Sequence, residues 1–212
     1  MEGLLITFEG PDGSGKSTQI RLLAEWLRDR GYQVVVTREP GGCKIAEEIR
    51  EVILDVSHEE MTPVCEALLY AAARAQHVDE VILPALKAGN IVICDRFLDS
   101  SLAYQGAGRE LGMEMVGDIN RHAVQGVEPC MTFMCRVHSD LASQRVWGRA
   151  VPDRIESEKG DFQSRVLSGF DELVERYPDR IRVIDAGRGI EEVYESIVGQ
   201  VEALLQSRGS SM

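Results

Sequence analysis

The sequence predicts an α/β fold of three layers, a mostly parallel five-stranded sheet flanked by helices. Three observations predict it. Short β-rich runs alternate with longer stretches of helical period. The runs are continuously apolar, as strands buried on both faces are, rather than alternating as strands facing water do. The first run passes through a glycine-rich loop directly into a helix.

The elements follow in order. Strands are expected at LLITFE (4–9), YQVVVT (32–37), NIVICD (90–95), MTFMCRV (131–137) and IRVID (181–185). Ser17 to Arg30 carries Ile20, Leu22, Leu23, Trp26 and Leu27 at helical spacing and stops at Gly31. Further helices are expected at 46–55, 64–87, near 100–105, at 114–124 and at 191–206; the segment before Pro84 can be one helix or two. Residues 1–206 read as a single domain, and SRGSSM within 207–212 as a flexible tail. In a sheet of this kind, ligands sit at the carboxyl ends of the strands.

Composition narrows the function classes. The 212 residues, 44% of them hydrophobic, suffice for one full core, and no apolar run is long enough to span a bilayer. The start MEGLLITFEG is expected to be mature protein, neither signal nor transit peptide. Five scattered cysteines, with no C-x-x-C pair, point to reduced thiols and a cytoplasmic setting; the four histidines lack metal-ligand spacing. The net charge of −12 opposes binding to nucleic acid or anionic membranes. An acidic chain that handles phosphates must gather its cations locally.

The motif Gly10-Pro11-Asp12-Gly13-Ser14-Gly15-Lys16-Ser17, followed by Thr18, fits G-x-x-x-x-G-K-[ST] between the first strand and first helix. Glycines permit a turn whose N–H groups surround nucleotide phosphates, and the helix dipole adds to their pull. Lys16 is expected on the β/γ-phosphates of ATP and Ser17 on Mg²⁺. The apolar strand ending in Asp95 has the form of the second metal-holding element of such sites. No N-K-x-D or T-K-x-D guanine reader is present, and the length suits a small kinase. Tyr70 and Arg74 lie four apart on a predicted helix and share a face; Ser101, Tyr104 and Gln105 are spaced i, i+3, i+4 and share another.

From Phe8 to about Leu205 the sequence resembles bacterial thymidylate kinase. The likeness is carried by FEGPDGSGKST (8–18), TREPGG (37–42), Tyr70-Ala-Ala-Ala-Arg74, CDRFLDSSLAYQG (94–106) and Asp153-Arg154-Ile155-Glu156. It implies a P-loop kinase fold and transfer of the γ-phosphoryl group of ATP to thymidine monophosphate, in dTTP biosynthesis. It implies Arg96 and Arg50 on the acceptor phosphate, with Arg38 assisting and Glu39 ordering the site. Tyr70 would stack on thymine and Arg74 donate to a base oxygen. Ser101 and Gln105 would read the polar edge of the base, Tyr104 would crowd the 2′ position, and Asp12 would meet the 3′-hydroxyl region. Phe97 departs from the Tyr or His of relatives, which puts any polar task there in doubt. The family is homodimeric, and an apolar helix face near 64–83 could serve.

The stretch Gln144-Arg145-Val-Trp-Gly-Arg149-Ala-Val-Pro-Asp153-Arg154 is Arg-rich and broken by Gly and Pro, and looks like a lid over about 145–158. Where eukaryotic-type members carry arginine in the P-loop, this chain has Gly13. By that likeness, Arg149 and Arg154, and to a lesser degree Arg145, supply the catalytic charge. Two rivals stay open at this point: a kinase for another nucleoside monophosphate, and a slow ATP-hydrolysing switch.

Overall fold

The computed structural model describes residues 3–137, 153–158 and 160–209. Five parallel strands form the sheet: β1 (Leu4–Glu9), β2 (Val34–Arg38), β3 (Ile91–Asp95), β4 (Met131–Arg136) and β5 (Ile181–Asp185). Their spatial order is β2-β3-β1-β4-β5. All the strands foreseen from apolar continuity are present. The three central ones are the most completely buried, while Val36 on the edge strand β2 and Val183 on the edge strand β5 reach solvent. Register places Phe8 of β1 opposite Asp95 of β3, and Arg38 of β2 opposite the same Asp95. The carboxyl ends of three strands therefore meet at one point.

One face of the sheet is covered by α1 (Lys16–Asp29) and α8 (Ile190–Gly209), which bury Leu23, Leu27, Ile197 and Val201 against Ile6 and Phe133. On the other face lie α2 (Lys44–Leu54), α3 (Pro63–His77), α4 (Leu83–Lys87), α5 (Leu98–Ser101), α6 (Met113–Asn120) and α7 (Asp161–Arg176). Thr62 caps α3 by accepting from the Cys65 N–H, and Pro63 occupies the first turn, where its missing N–H is harmless.

The segment 64–87 is a single helical run with a wider turn inside it. A π-helical turn, Val78–Ile82, joins α3 to α4, and Pro84 lies in the first turn of α4. A proline cannot donate to the preceding turn, so the loosened register absorbs its missing hydrogen bond. A second π-helical segment, Leu102–Gly108, extends α5 beyond the short helix expected near 100–105.

Helix α7 was not foreseen. Its buried residues Phe162, Val166, Phe170 and Leu173 recur at helical spacing and close on Leu102, Tyr104 and Met134. Gly169 and Gly108 permit this approach: a Cβ at Gly169 would stand 2.7 Å from the Ala107 Cβ. Among the described residues, no helix is long and apolar enough to cross a membrane.

Candidate active site

The glycine-rich loop leaves the central strand β1 and wraps into α1 at Gly15, whose φ of 84° lies in the left-handed region. Gly10 has φ 122°, and a Cβ there would meet the Cys135 carbonyl at 2.4 Å. Lys16, only 5% exposed, donates to the carbonyls of Gly10 at 3.0 Å and Pro11 at 2.9 Å. Burial, and next the positive charge of Arg96, push its ammonium down to about 8. Ser14 is buried beside it, and its hydroxyl has no partner among the described residues.

Ser17 donates to Asp95 Oδ2 at 3.3 Å. A hydroxyl and a carboxylate side by side beneath the P-loop are hard oxygen donors that fit Mg²⁺, which takes few protein ligands and completes its shell with water and phosphate.

Arg96 adopts φ 69°, uncommon for a residue with a side chain. Its own N–H donates to the Phe8 carbonyl at 2.9 Å, and the next N–H, of Phe97, donates to Glu9 Oε1 at 2.8 Å. Its guanidinium donates to Asp12 Oδ1 at 2.9 Å and Ser100 Oγ at 3.1 Å, and lies 5.2 Å from the centre of the Tyr104 ring. The Ser100 hydroxyl in turn donates to Glu9 Oε2. Burial, and then the charge of Asp99, raise Glu9 to about 7, against the pull of Ser100, Arg96 and the Phe97 amide.

Two adjoining hollows share this corner. The P-loop cleft is lined by Lys16, Ser17, Thr18 and Asp95 together with Asp12, Gly13, Arg38, Glu39, Arg50 and Arg96. The second hollow shares Asp12, Glu39, Arg50 and Arg96, and runs on to Tyr70, Arg74, Ser101, Tyr104 and Gln105. Arg38 and Arg50 both donate to the Pro40 carbonyl, at 3.0 and 2.9 Å, beyond a cis Glu39–Pro40 bond. Burial and the neighbouring Arg38 lower Arg50. Four cations thus surround one cleft in an acidic chain, an arrangement made for anions.

Arg74 is 2% exposed and held by an unusually full set of partners. It donates to Glu39 Oε2 at 2.7 Å, the Phe97 carbonyl at 3.1 Å, Ser101 Oγ at 3.0 Å, and Asn120 Oδ1. The other oxygen of Glu39 is bonded to His77 Nδ1 at 3.0 Å, and His77 Nε2 to Thr37 at 2.6 Å. Glu39 therefore ties the loop after β2 to α3. Phe97 buries its ring in the core cluster that holds Val92 and Cys94, where the Arg74 guanidinium lies 5.4 Å from the ring centre, and its backbone carbonyl also accepts from Arg74.

Arg145 and Arg149 lie outside the described residues. Arg154 does not line the P-loop cleft. Its guanidinium donates to the Ile53 carbonyl at 2.9 Å and Glu66 Oε2 at 2.7 Å, and it is nearly buried. Its guanidinium is engaged with a buried carboxylate beside the second hollow rather than in the P-loop cleft. Sequence reasoning gave no role to Glu9, Glu66, His77, Arg109 or Asn120. Glu66 could have been found, since it stands four residues before Tyr70 and eight before Arg74 on one helical face. His77 and Asn120 carry no motif.

A parallel sheet bearing a P-loop, joined at Arg96 and Asp12 to a second, arginine-lined pocket, defines a P-loop phosphotransferase of the nucleotide kinase class. The thymidylate kinase family profile matches residues 8–197, and the chain belongs to that family. It is 48% identical over 209 residues to the thymidylate kinase of Exiguobacterium sp. (strain ATCC BAA-1283 / AT1b), covering 99% of each chain. To that of Pelotomaculum thermopropionicum it is 49% identical, covering 98% of this chain and 96% of the other. The crystal structure of thymidylate kinase from Ehrlichia chaffeensis superposes with a TM-score of 0.77 at 32% identity, over 95% of this chain and 99% of that one.

Proposed function

We propose that this ATP-dependent nucleoside monophosphate kinase transfers the γ-phosphoryl group of ATP to thymidine monophosphate, giving ADP and thymidine diphosphate. The observation that carries the reading is the pair of adjoining hollows with Arg96 and Asp12 on their shared wall. A donor in the P-loop and a nucleotide against Tyr70 and Arg74 would present their phosphates to each other there.

The acceptor phosphate oxygen is already a nucleophile, so no strong base is needed. It forms a bond to the γ-phosphorus as the bond to the β-bridging oxygen breaks, and the electron pair leaves with ADP. Lys16 and Arg96 neutralise the charge shared by the two phosphates, while Arg38 and Arg50 hold the acceptor phosphate in line. Tyr70 offers a ring face to the base, Arg74 and Gln105 its polar contacts, and Tyr104 the bulk that excludes a 2′-hydroxyl. Ser17 and Asp95 would hold Mg²⁺, which screens the β- and γ-phosphate oxygens when bound. The family likeness supports Arg149 and Arg154, and to a lesser degree Arg145, as the source of catalytic charge, and the contact of Arg154 with Glu66 supports a bracing role for it as well.

The family likeness also supports a cytoplasmic homodimer. Helices α2 and α3 pack together, as do α3 and α6, and they expose Ile45, Val52, Val64, Leu68 and Met115. A coupled ADP-release assay across the nucleoside monophosphates tests the function. Fastest turnover on thymidine monophosphate is expected; faster turnover on AMP, GMP or CMP would exclude it.

A further inference from the structure

The acceptor hollow contains a polar atom that the described residues leave unserved. Gln105 lines the hollow, its Nε2 donates to Glu66 Oε1 at 2.9 Å, and its Oε1 is buried with no partner among the described residues. A buried carbonyl without a donor is costly unless a ligand supplies one.

The two ends of this amide are not interchangeable. Glu66 is 0% exposed and ion-paired with Arg109 at 2.9 Å and Arg154 at 2.7 Å. A carboxylate in such a pairing offers acceptors alone, so only the NH₂ end of Gln105 can satisfy it. Turning the amide over would set its carbonyl against the carboxylate and leave two acceptors facing each other.

Glu66 is itself unable to swing away. Arg154 is anchored to the Ile53 carbonyl through Nε and to the Leu54 carbonyl through its backbone N–H at 3.2 Å, and Arg109 is ion-paired to Glu158. The carboxylate is fixed from α2 and from the 153–158 segment, and its fixed position is passed on to the amide.

We propose that Glu66 is a positioning residue that locks Gln105 with its carbonyl free, so that the site selects nucleobases bearing a ring N–H donor. Thymine and uracil carry such an imide N–H. Cytosine carries an acceptor at the corresponding ring nitrogen, and would face Oε1 lone pair to lone pair. This deepens the thymidylate reading and rests on it. Discrimination between pyrimidines arises from a carboxylate that never touches the base.

The test measures kcat/KM on the full chain for thymidine, deoxyuridine and deoxycytidine monophosphates and for N3-methyl thymidine monophosphate. It compares wild type, Glu66→Gln, Glu66→Asp, Gln105→Met and the Glu66→Gln/Gln105→Met double variant. Wild type is expected to reject the cytosine and N3-methyl substrates. Glu66→Gln lets the neighbouring amide turn over, and should narrow the thymine-to-cytosine ratio by about tenfold or more, with KM for ATP unmoved. Glu66→Asp, still acceptor-only, should restore the preference, and Glu66→Gln should add nothing once Gln105 is Met. An unchanged ratio in Glu66→Gln, or equal use of the N3-methyl substrate by wild type, overturns the proposal.

Should Glu66→Gln fail to fold, the wild-type protein still decides. The Gln105 side-chain ¹⁵N amide protons should be protected from exchange both alone and with thymidine monophosphate; rapid exchange in either state overturns the proposal. Loss of all turnover on thymidine monophosphate by wild type would instead sink the functional reading, so the two failures are distinguishable.

Discussion

Arg96 reaches from the end of β3 to Asp12 in the P-loop, closing a 2.9 Å ion pair on the wall that the two hollows share. In the proposed reaction the donor and acceptor phosphates converge there. Arg96→Ala is expected to keep the fold and lower kcat about 10²–10³-fold, as loss of one preorganised donor to developing charge does. Single-turnover kinetics alongside a melting curve checks it. A change confined to KM would assign Arg96 to ground-state binding alone.

The Lys16 ammonium, pushed down to about 8, gives the free enzyme a titration on its alkaline side. The protonated form meets phosphate, so kcat/KM for ATP should fall as pH rises through about 8. In the residual activity of Lys16→Arg that limb should be absent, because guanidinium stays charged. Stability moves the other way. From about 8 up to the ordinary 10.5, the unfolded chain binds the extra proton, so this group makes the fold more stable as pH rises through that window.

Glu9 sets the acid side. Below about 7 its carboxyl takes up a proton and loses acceptor strength toward the Phe97 amide and Ser100, which hold Arg96. An acid limb in kcat/KM near that value is expected, and Glu9→Gln should remove it. The acceptor phosphate titrates near about 6 in both proteins and serves as the internal reference. Between 7 and the ordinary 4.5 the folded state binds the proton, so the same group adds stability as pH falls.

Arg74→Ala has two separable effects. Removing a guanidinium with four bonds inside the protein takes the Arg74 donor from Glu39 Oε2 and Asn120 Oδ1, and should cost about 3–5 kcal/mol of folding stability. Thymidine monophosphate affinity should fall by a further 1–3 kcal/mol or so, read by calorimetry on the folded fraction. Full retention of stability would show that the shell around Arg74 is dispensable.

Gly10→Ala tests the contact beneath the P-loop. Its methyl would press on the Cys135 carbonyl in a backbone conformation that disfavours side chains. A loss of about 1–3 kcal/mol is expected, with ATP affinity lost alongside it. Thermal melts with and without ATP measure both.

The strands were legible because burial on both faces writes an unbroken apolar run, and the P-loop because its chemistry allows little variation. Helix α7 carries the helical period at Phe162, Val166, Phe170 and Leu173, a signal the sequence expectations did not include. Tyr70, Arg74, Ser101, Tyr104 and Gln105 do share a hollow, but helical spacing could not show that Arg74 is nearly saturated by protein partners. Arg154 shows the limit most clearly. Its sequence setting gives no sign of the Glu66 carboxylate on a distant helix, which only tertiary packing brings to it.

Phe8 and Asp95 are register partners, so the two proposed phosphate grips rise from neighbouring strands about 4.8 Å apart in one stiff sheet. In the proposed reaction, the spacing at which phosphorus changes hands is thus built into hydrogen-bonded backbone. The wall proposed to face the base is made separately, from α3 and the π-helical segment 102–108. What the enzyme phosphorylates can therefore be re-engineered there while how it phosphorylates is left alone.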